Sequence, residues 1–463
     1  MKKLFIVMLA LFFTAGFSYA DLTFDVTGNY HVRGTYMDNA DGVNGSGYNF
    51  MYYPDGTIHP GNGSDLGGLP ITAATTATVN DKAPEPYMFY DQELDMDIKM
   101  SAADKTFVFI NFEARDQDWI KGSTDNDTVE VDEDKDDTLE IKRLYGSHTF
   151  GKATQLDFGL MTGAAWATSF GDNADGKYRL KLTQRTNIGV FAFVVEKNEE
   201  LGSNSTGDYK AEEDDSDAYY VAMVTKLGNI YIKPLFGLVY SGELTGGDPD
   251  NPYSIDGANE GPDQTAKAFL LGLDGQWDTF GFEGEFNYKD VTFDVDDPNI
   301  EMEDTAIYGA YLKAWANLDA FKVGGLFAYG SYDDEGGLNG GGQGFGFGVD
   351  FTPTIFGADQ ATVGSSSKSE YTAVTLYQVF AEYAMSDAMS FSASYTMWSS
   401  NEKDSDWEDA TGSELDAGLN YKVSDAVTYS IALGTGSWDF DSGSLYEDAE
   451  SFTRAYHMLA IAF

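Results

Sequence analysis

From Leu22 to Tyr36, apolar residues and glycines hold the even positions (Leu22, Phe24, Val26, Gly28, Tyr30, Val32, Gly34, Tyr36). Thr23, Asp25, Thr27, Asn29, His31, Arg33 and Thr35 hold the odd ones. A period of two marks a strand with one apolar and one polar face. At the usual rise the run spans about 45–50 Å, longer than globular strands normally reach. The pattern returns at Phe280, Phe282, Phe286 and Tyr288 against Glu283, Glu285, Asn287 and Lys289, and at Met389, Phe391, Tyr395 and Met397 against serines and Thr396. It returns again at Leu415–Tyr421 and at Val427–Leu433. Nearly every strand is thus expected to present a wet face, and almost no helical segment is available to cover the other.

The same reading predicts strands at 22–36, 87–100, 106–115, 138–149, 154–162 and 177–184, then 188–197, 217–226, 230–240, 267–277, 280–290 and 304–315. The last six fall at 320–330, 371–384, 389–399, 413–422, 427–437 and 452–463. These make about eighteen; sixteen is the alternative, because 177–197 and 267–290 carry the weakest hairpin patterns. Connections alternate in length. Short ones fall at Ser101–Lys105, Phe150–Ala153, Leu227–Asn229 and Met385–Ala388, and long ones near 37–86, 116–137, 198–216, 242–266 and 332–370. Short turns at one end and long loops at the other are the layout of an all-β transmembrane antiparallel barrel. Eighteen strands enclose a lumen too wide for side chains to fill, so a water-filled channel is expected. Tyr30, Tyr36, Tyr288, Tyr377, Tyr383, Tyr395 and Tyr421 sit near the ends of apolar faces, as interfacial girdles do.

The first twenty residues read as a secretory signal peptide. Lys2 and Lys3 precede an apolar run from Leu4 to Phe13, and Ser18-Tyr19-Ala20 offers small residues for cleavage. The domains expected are the signal at 1–20 and the barrel at 21–463. No later apolar run approaches the ~18 residues of a spanning helix.

Composition narrows the function. The 463 residues carry 28 Lys+Arg against 76 Asp+Glu, a formal net charge of -48, which argues against a nucleic-acid partner. Zero Cys removes disulfides, thiolate metal sites and Cys nucleophiles. His31, His59, His148 and His457 have no metal-like spacing, and no local Ser–His or Asp–His constellation points to a barrel enzyme. The acidic runs at 125–137 and 212–217 read as solvated outer loops; a Ca²⁺ or Mg²⁺ site there is the alternative. The Gly-rich stretch 336–348 lacks the helix a phosphate loop needs and reads as a flexible loop. No cofactor and no metal are expected.

The chain ends Leu459-Ala460-Ile461-Ala462-Phe463, similar to the terminal strand that the barrel assembly machinery reads in Gram-negative outer-membrane porins; His457 breaks the alternation. The run from Leu144 to Leu160 also resembles that family, with its strand, Phe150-Gly151 turn and strand. The loop at 162–176, with Phe170-Gly171-Asp172, resembles the porin loop that folds into the barrel, although it lacks the Pro-Glu-Phe element. The resemblance implies an outer-membrane location, contact with outer-membrane lipid, a homotrimer, and passage of small ions and solutes.

Two ladders are the candidate site residues. Asp91, Glu93, Asp95 and Asp97 share one parity, and four carboxylates on one strand face cannot point into lipid. Lys177, Arg179, Lys181 and Arg185 share another. The resemblance implies wall cations at 177–181 facing loop anions Asp172 and Asp175 across an eyelet. The acidic ladder is likewise expected to face the basic strip. The function expected is a cation-preferring diffusion channel. A solute-specific channel for sugars or amino acids, marked by an aromatic slide or a carboxylate-binding basic ladder, is the first alternative; a structural or adhesive barrel is the second.

Overall fold

The structure, a computed structural model, describes residues 22–38, 50–52, 58–60, 87–102, 105–116, 140–163, 165–171, 176–199, 216–241, 263–294, 302–338, 342–348, 351–354, 371–403, 407–440 and 451–463. The signal-peptide expectation at 1–20 and the acidic run 125–137 lie outside these residues. The run 212–217 does too, apart from Ser216 and Asp217.

All eighteen expected strands are present. They are β1 (Leu22–Asp38), β2 (Tyr87–Ala102), β3 (Thr106–Asp116), β4 (Glu140–Phe150), β5 (Thr154–Thr162) and β6 (Gly176–Arg185). Next come β7 (Val190–Glu199), β8 (Ser216–Leu227), β9 (Ile230–Ser241), β10 (Asp263–Gln276), β11 (Phe280–Asp294) and β12 (Thr305–Leu318). The last are β13 (Phe321–Gly330), β14 (Val374–Ser386), β15 (Met389–Ser400), β16 (Thr411–Lys422), β17 (Val427–Asp439) and β18 (Phe452–Ala462). Each pairs antiparallel with its sequence neighbour, and β18 returns to β1 from Asn29↔Ala462 to Asp38↔Thr453, closing an 18-stranded ring. Closure leaves no strand edge exposed, which matters because an unpaired backbone group away from water costs roughly 2–7 kcal/mol.

Parity sorts the side chains as the sequence pattern requires. Tyr178, Leu180, Phe236, Leu312, Val379 and Leu415 are exposed on the outer face, and so are Tyr36, Tyr288, Tyr377, Tyr383, Tyr395 and Tyr421. Tyr30 shares that face, its hydroxyl donating to Gln92 at 2.8 Å. Near the short turns the outer aromatics pair, Phe321 with Tyr383 at 4.5 Å and Trp277 with Phe280 at 4.4 Å.

The seam is built by size complementarity. Gly28 N donates to Phe463 O at 2.9 Å and Phe463 N to Gly28 O at 3.0 Å. A Cβ on Gly28 would meet the Phe463 ring at 2.6 Å and Asp95 O at 2.8 Å. His457, which breaks the terminal alternation, lies on the outer face over Gly34 and edge-on to Tyr90 at 5.7 Å. Gly28→Val is expected to destabilise the barrel by about 1–3 kcal/mol through overpacking at the seam. Urea unfolding in lipid vesicles, followed by tyrosine and tryptophan fluorescence, checks this.

The inner face departs from the expectation of a wet face on nearly every strand. On β7–β10 it carries Ala192, Ala222, Leu235 and Leu270, and on β12–β14 Ile307, Leu326, Ala328, Val374 and Leu376. These stretches are apolar because inward-folded connections cover them.

Candidate functional site

The first inward connection leaves β5 at Thr162. Gly163 packs against Lys177, and the chain then runs inside the barrel past β7–β10 to β11. Trp166 covers the small residues of β7–β10 and donates its indole N–H to Lys233 O on β9 at 3.0 Å. Ala167 adopts φ 64, a left-handed conformation costing about 1–2 kcal/mol, and sits where any Cβ on Gly272 of β10 would be. Thr168 compensates: its N–H and hydroxyl both donate to Glu285 Oε2 on β11, at 2.8 and 2.7 Å. Asn287 Nδ2 donates to the other carboxylate oxygen at 2.9 Å. Glu285 is 3% exposed, and this donor set is what a buried carboxylate requires.

Phe170 then enters an aromatic box, stacked on Tyr311 of β12 at 5.5 Å and on Phe345 at 5.6 Å, with Phe347 at 4.8 Å and Phe351 at 5.4 Å. Phe345, Phe347 and Phe351 belong to the second inward connection. Gly348 N donates to Phe170 O at 2.8 Å, so the two connections are hydrogen-bonded to each other. The described part of the Gly-rich stretch 336–348 is therefore not a loose loop. Its backbone is tied at Phe345 N to Ser331 O (2.8 Å) and at Phe347 N to Tyr371 O (2.7 Å). Glycine is needed there for close approach: a Cβ on Gly344 would meet the Ala373 Cβ at 2.8 Å. A third aromatic group, Trp398, Trp407, Trp438 and Phe440, extends this packing across β15–β17.

The two connections fill the side of the lumen bounded by β7–β14. The candidate ladders lie on the other side. Glu93, Asp95 and Asp97 are on the inner face of β2, where Asn111 of β3 bridges Asp95 (2.5 Å) and Asp97 (2.9 Å). Asp91 is in register with Arg33 of β1. Lys177, Arg179, Lys181 and Arg185 alternate with the outward Tyr178, Leu180 and Leu182 on β6. β2 and β6 are only four strands apart in the eighteen-strand ring, so the two ladders are neighbours on one wall, not opposed across the lumen. Asp172 and Asp175 lie outside the described residues.

The four cations do different jobs. Arg179 is held by Glu196 of β7, itself 2% exposed, and donates to Thr162 O, which anchors the start of the inward connection. Arg185 reaches Gln155 at 3.4 Å near the short turns. Lys177 and Lys181 make no ion pair among the described residues. The sequence offered no signal for Glu285, Glu196 or Thr168, because a buried carboxylate clamp has no periodic signature. Three or more His, Cys, Asp or Glu placed to hold a metal do not occur among the described residues.

No protein-family model matches the chain, and no curated protein sequence matches it. Solved structures do. OccK2 (OpdF) of Pseudomonas aeruginosa in complex with glucuronate superposes with a TM-score of 0.51 at 8% identity, over 95% of this chain and 98% of that one. The outer membrane protein OpdK of the same organism, in its structure with vanillate, gives 0.50 at 9%, with the same coverage. OccK8 (OprE) of P. aeruginosa also gives 0.50 at 9% over 95% and 98%. The fold is that of the Gram-negative outer-membrane porins.

Within this porin fold the Thr168–Glu285 clamp is the attachment most open to test. Glu285→Ala is expected to speed amide exchange at Thr168 and its neighbours about 10- to 100-fold, the usual worth of hydrogen bonds to a charged group. Hydrogen–deuterium exchange of the folded protein checks it, with strand amides unchanged as the internal reference.

Proposed function

We propose that this protein is an outer-membrane channel through which ions and small hydrophilic solutes diffuse passively, without turnover or cofactor. The observation that carries the reading is a closed 18-stranded barrel, apolar outside, into whose lumen two interlocked connections fold, among the described residues, along β7–β14. The passage runs beside the polar and charged inner faces of β1–β6, with Asp95, Asp97, Lys177 and Lys181 as pore-lining residues. A homotrimer in outer-membrane lipid, assembled through the Leu459-Ile461-Phe463 signal by the barrel assembly machinery, completes the proposal.

Cation preference belongs to the mouth in this reading. On the wall, signs alternate: Asp95 and Asp97 are followed around the ring by Arg143, Asp157 and Lys181, and Lys233 pairs with Asp274 at 2.6 Å. The acidic surplus resides in the long connections, for example DNDTVEVDEDKDD at 125–137, where it gathers counter-ions. Such a field weakens as the Debye length falls from about 10 Å at 0.1 M salt to about 3 Å at 1 M. A second reading, a channel specific for organic acids, is favoured by Lys177 and Lys181 having no described ion-pair partner. Glucuronate and vanillate, the ligands of the OccK2 and OpdK structures, are acids of that class.

Reconstitution in planar bilayers tests both. Current in KCl is expected, with a reversal potential showing cation preference that fades with rising salt; silence in KCl overturns the channel. Lys177→Gln with Lys181→Gln should shift the reversal potential further toward cations. If instead it abolishes block of the current by glucuronate, the acid-specific reading holds. Phe170→Ala, a substitution that leaves a cavity and costs about 3–5 kcal/mol of stability, should raise conductance and its noise.

A further inference from the structure

The short turns form a rim whose backbone is tied from hairpin to hairpin. Thr149 N donates to Lys105 O, Arg185 N to Ala153 O and Ala384 N to Ala320 O, each at 2.8 Å, and Thr225 Oγ1 donates to Ile188 O at 2.5 Å. A rim held this way has little conformational freedom left to lose when something docks on it.

Charge around this rim is segregated by sign. Lys105, Lys152, Arg185 and Lys226 stand one in or beside each turn from β2–β3 to β8–β9, and Asp104 is the one acidic residue in the sequence of those turns. Asp278, Asp319, Asp387 and Asp425 stand one in each turn from β10–β11 to β16–β17. The cations of this second arc are neutralised, Lys322 by Glu382 at 2.9 Å and Lys422 by Asp425 at 3.1 Å. The four cations of the first arc are exposed, as are Asp278, Asp319 and Asp387, and none of these seven makes an ion pair among the described residues. In a chain with 76 acidic residues to 28 basic ones, a cation at each of four successive turns runs against the composition.

Unlike the wall ladders, these arcs oppose each other. The β2–β3 turn and the β10–β11 turn lie eight strands apart in the eighteen-strand ring, nearly half the circumference. At the usual strand spacing and tilt the ring is roughly 35 Å across. Screening acts over about 8 Å at physiological ionic strength, so a small solute beside one arc does not feel the other. Lipid is on the wrong side: Arg185 alternates with the outward Leu180 and Leu182, and Lys226 with the outward Tyr219 and Val221. Only a rigid body about 30 Å wide, the diameter of a small folded domain, engages both arcs at once. The short turns of an outer-membrane barrel face the periplasm.

We propose that the short-turn rim is a docking face for a folded periplasmic protein whose own contact surface is split by charge. That surface is acidic where it meets Lys105, Lys152, Arg185 and Lys226, and basic where it meets Asp278, Asp319 and Asp387. The split fixes orientation as well as attraction, because a half-turn about the barrel axis sets like charges against each other. The inference rests on the outer-membrane location and not on conduction.

The test uses the full protein in lipid nanodiscs. The probe is a designed helical domain about 30 Å wide, with glutamates on one half of a face and lysines on the other. Its control carries the same residues interspersed. Surface plasmon resonance at about 50 mM salt should show the segregated probe binding roughly tenfold tighter than the control, and about 0.5 M salt should remove the difference. The acidic outer connections attract the lysines of both probes alike, so the difference reads the rim. Lys152→Glu with Arg185→Glu should abolish the advantage, as should Asp319→Lys with Asp387→Lys; heat-modifiable electrophoretic mobility confirms that each variant is folded. Equal binding of the two probes, or an advantage that both double variants retain, overturns the docking face. In cells, photo-cross-linkers placed at Asn187 and at Ala320 should capture the same soluble protein, and either charge reversal should prevent it. Adducts with different proteins at the two positions, none at either, or adducts indifferent to charge reversal overturn the proposal.

Discussion

A sheet whose outer face is apolar cannot leave a row of backbone N–H and C=O groups unpaired, and the closure of β18 on β1 is the consequence. Every other element is placed by that requirement. The ring must contain an even number of antiparallel strands for the first and last to pair this way, and the two ends of the chain must lie at the short-turn end. The seam is also where the sequence is most exacting: a terminal aromatic needs a position without a side chain beside it, and Gly28 provides one for Phe463. His457 fits the same logic. It occupies an outer position because Gly34, Tyr90 and Tyr429 make an aromatic-lined niche for its ring.

Closure at eighteen strands creates a second problem, a lumen wider than side chains can fill. Among the described residues the chain answers it along β7–β14. Two connections fold inward, and wherever they lie the inner wall turns apolar, so the lumen acquires a small hydrophobic core of its own around Phe170. The inward segment is not held by that core alone. A left-handed alanine is tolerated because Thr168 engages Glu285 with both of its donors, and the segment's root is pinned by Arg179 between Glu196 and Thr162. A carboxylate of β11 and a guanidinium of β6 thus serve as fixed points at the two ends of the inward run. Burial of the Phe170 ring, worth about 1.5–3 kcal/mol, supplies the grip between them.

Period-two alternation made the strands legible, since lipid outside imposes one rule on every strand, and Leu22, Phe24 and Val26 obey it as plainly as Leu415 and Leu419. The hairpins at 177–197 and 267–290 read weakly for a physical reason. Their inner positions, Ala192, Leu270 and Gly272, face the inward connection rather than water, so the alternation lost its polar half. The same cause hid the role of 336–348, whose glycines signal looseness in isolation and close packing in context. The register puts Glu93, Asp95 and Asp97 of β2 and Lys177, Arg179 and Lys181 of β6 on one side of the sheet, but parity carries no azimuth. Whether two ladders oppose or share a wall depends on how many strands separate them, and with only β3, β4 and β5 between β2 and β6 they share one. Glu285 and Glu196 had no signature of their own, because each is defined by what folds against it.

That adjacency changes what the wall charges can do. Opposed strips of opposite sign make a transverse field across a passage, whereas strips four strands apart on one wall, about 19 Å at the usual strand spacing, are each offset first by groups on the strands beside and between them. Along β2–β6 the order is acidic, aromatic with cations, acidic, basic, a sequence of short-range sites more than a single long-range field. In the channel proposed above, the net charge of -48 would act at a different place from the solute contacts. The long acidic connections would set how often an ion arrives at the mouth, through a potential that salt screens, and the mixed wall would set how long a solute stays, through contacts at hydrogen-bond distance that salt barely touches. A barrel filled along β7–β14 suits this division, because the wall left uncovered by the inward connections is the one whose charges nearly balance.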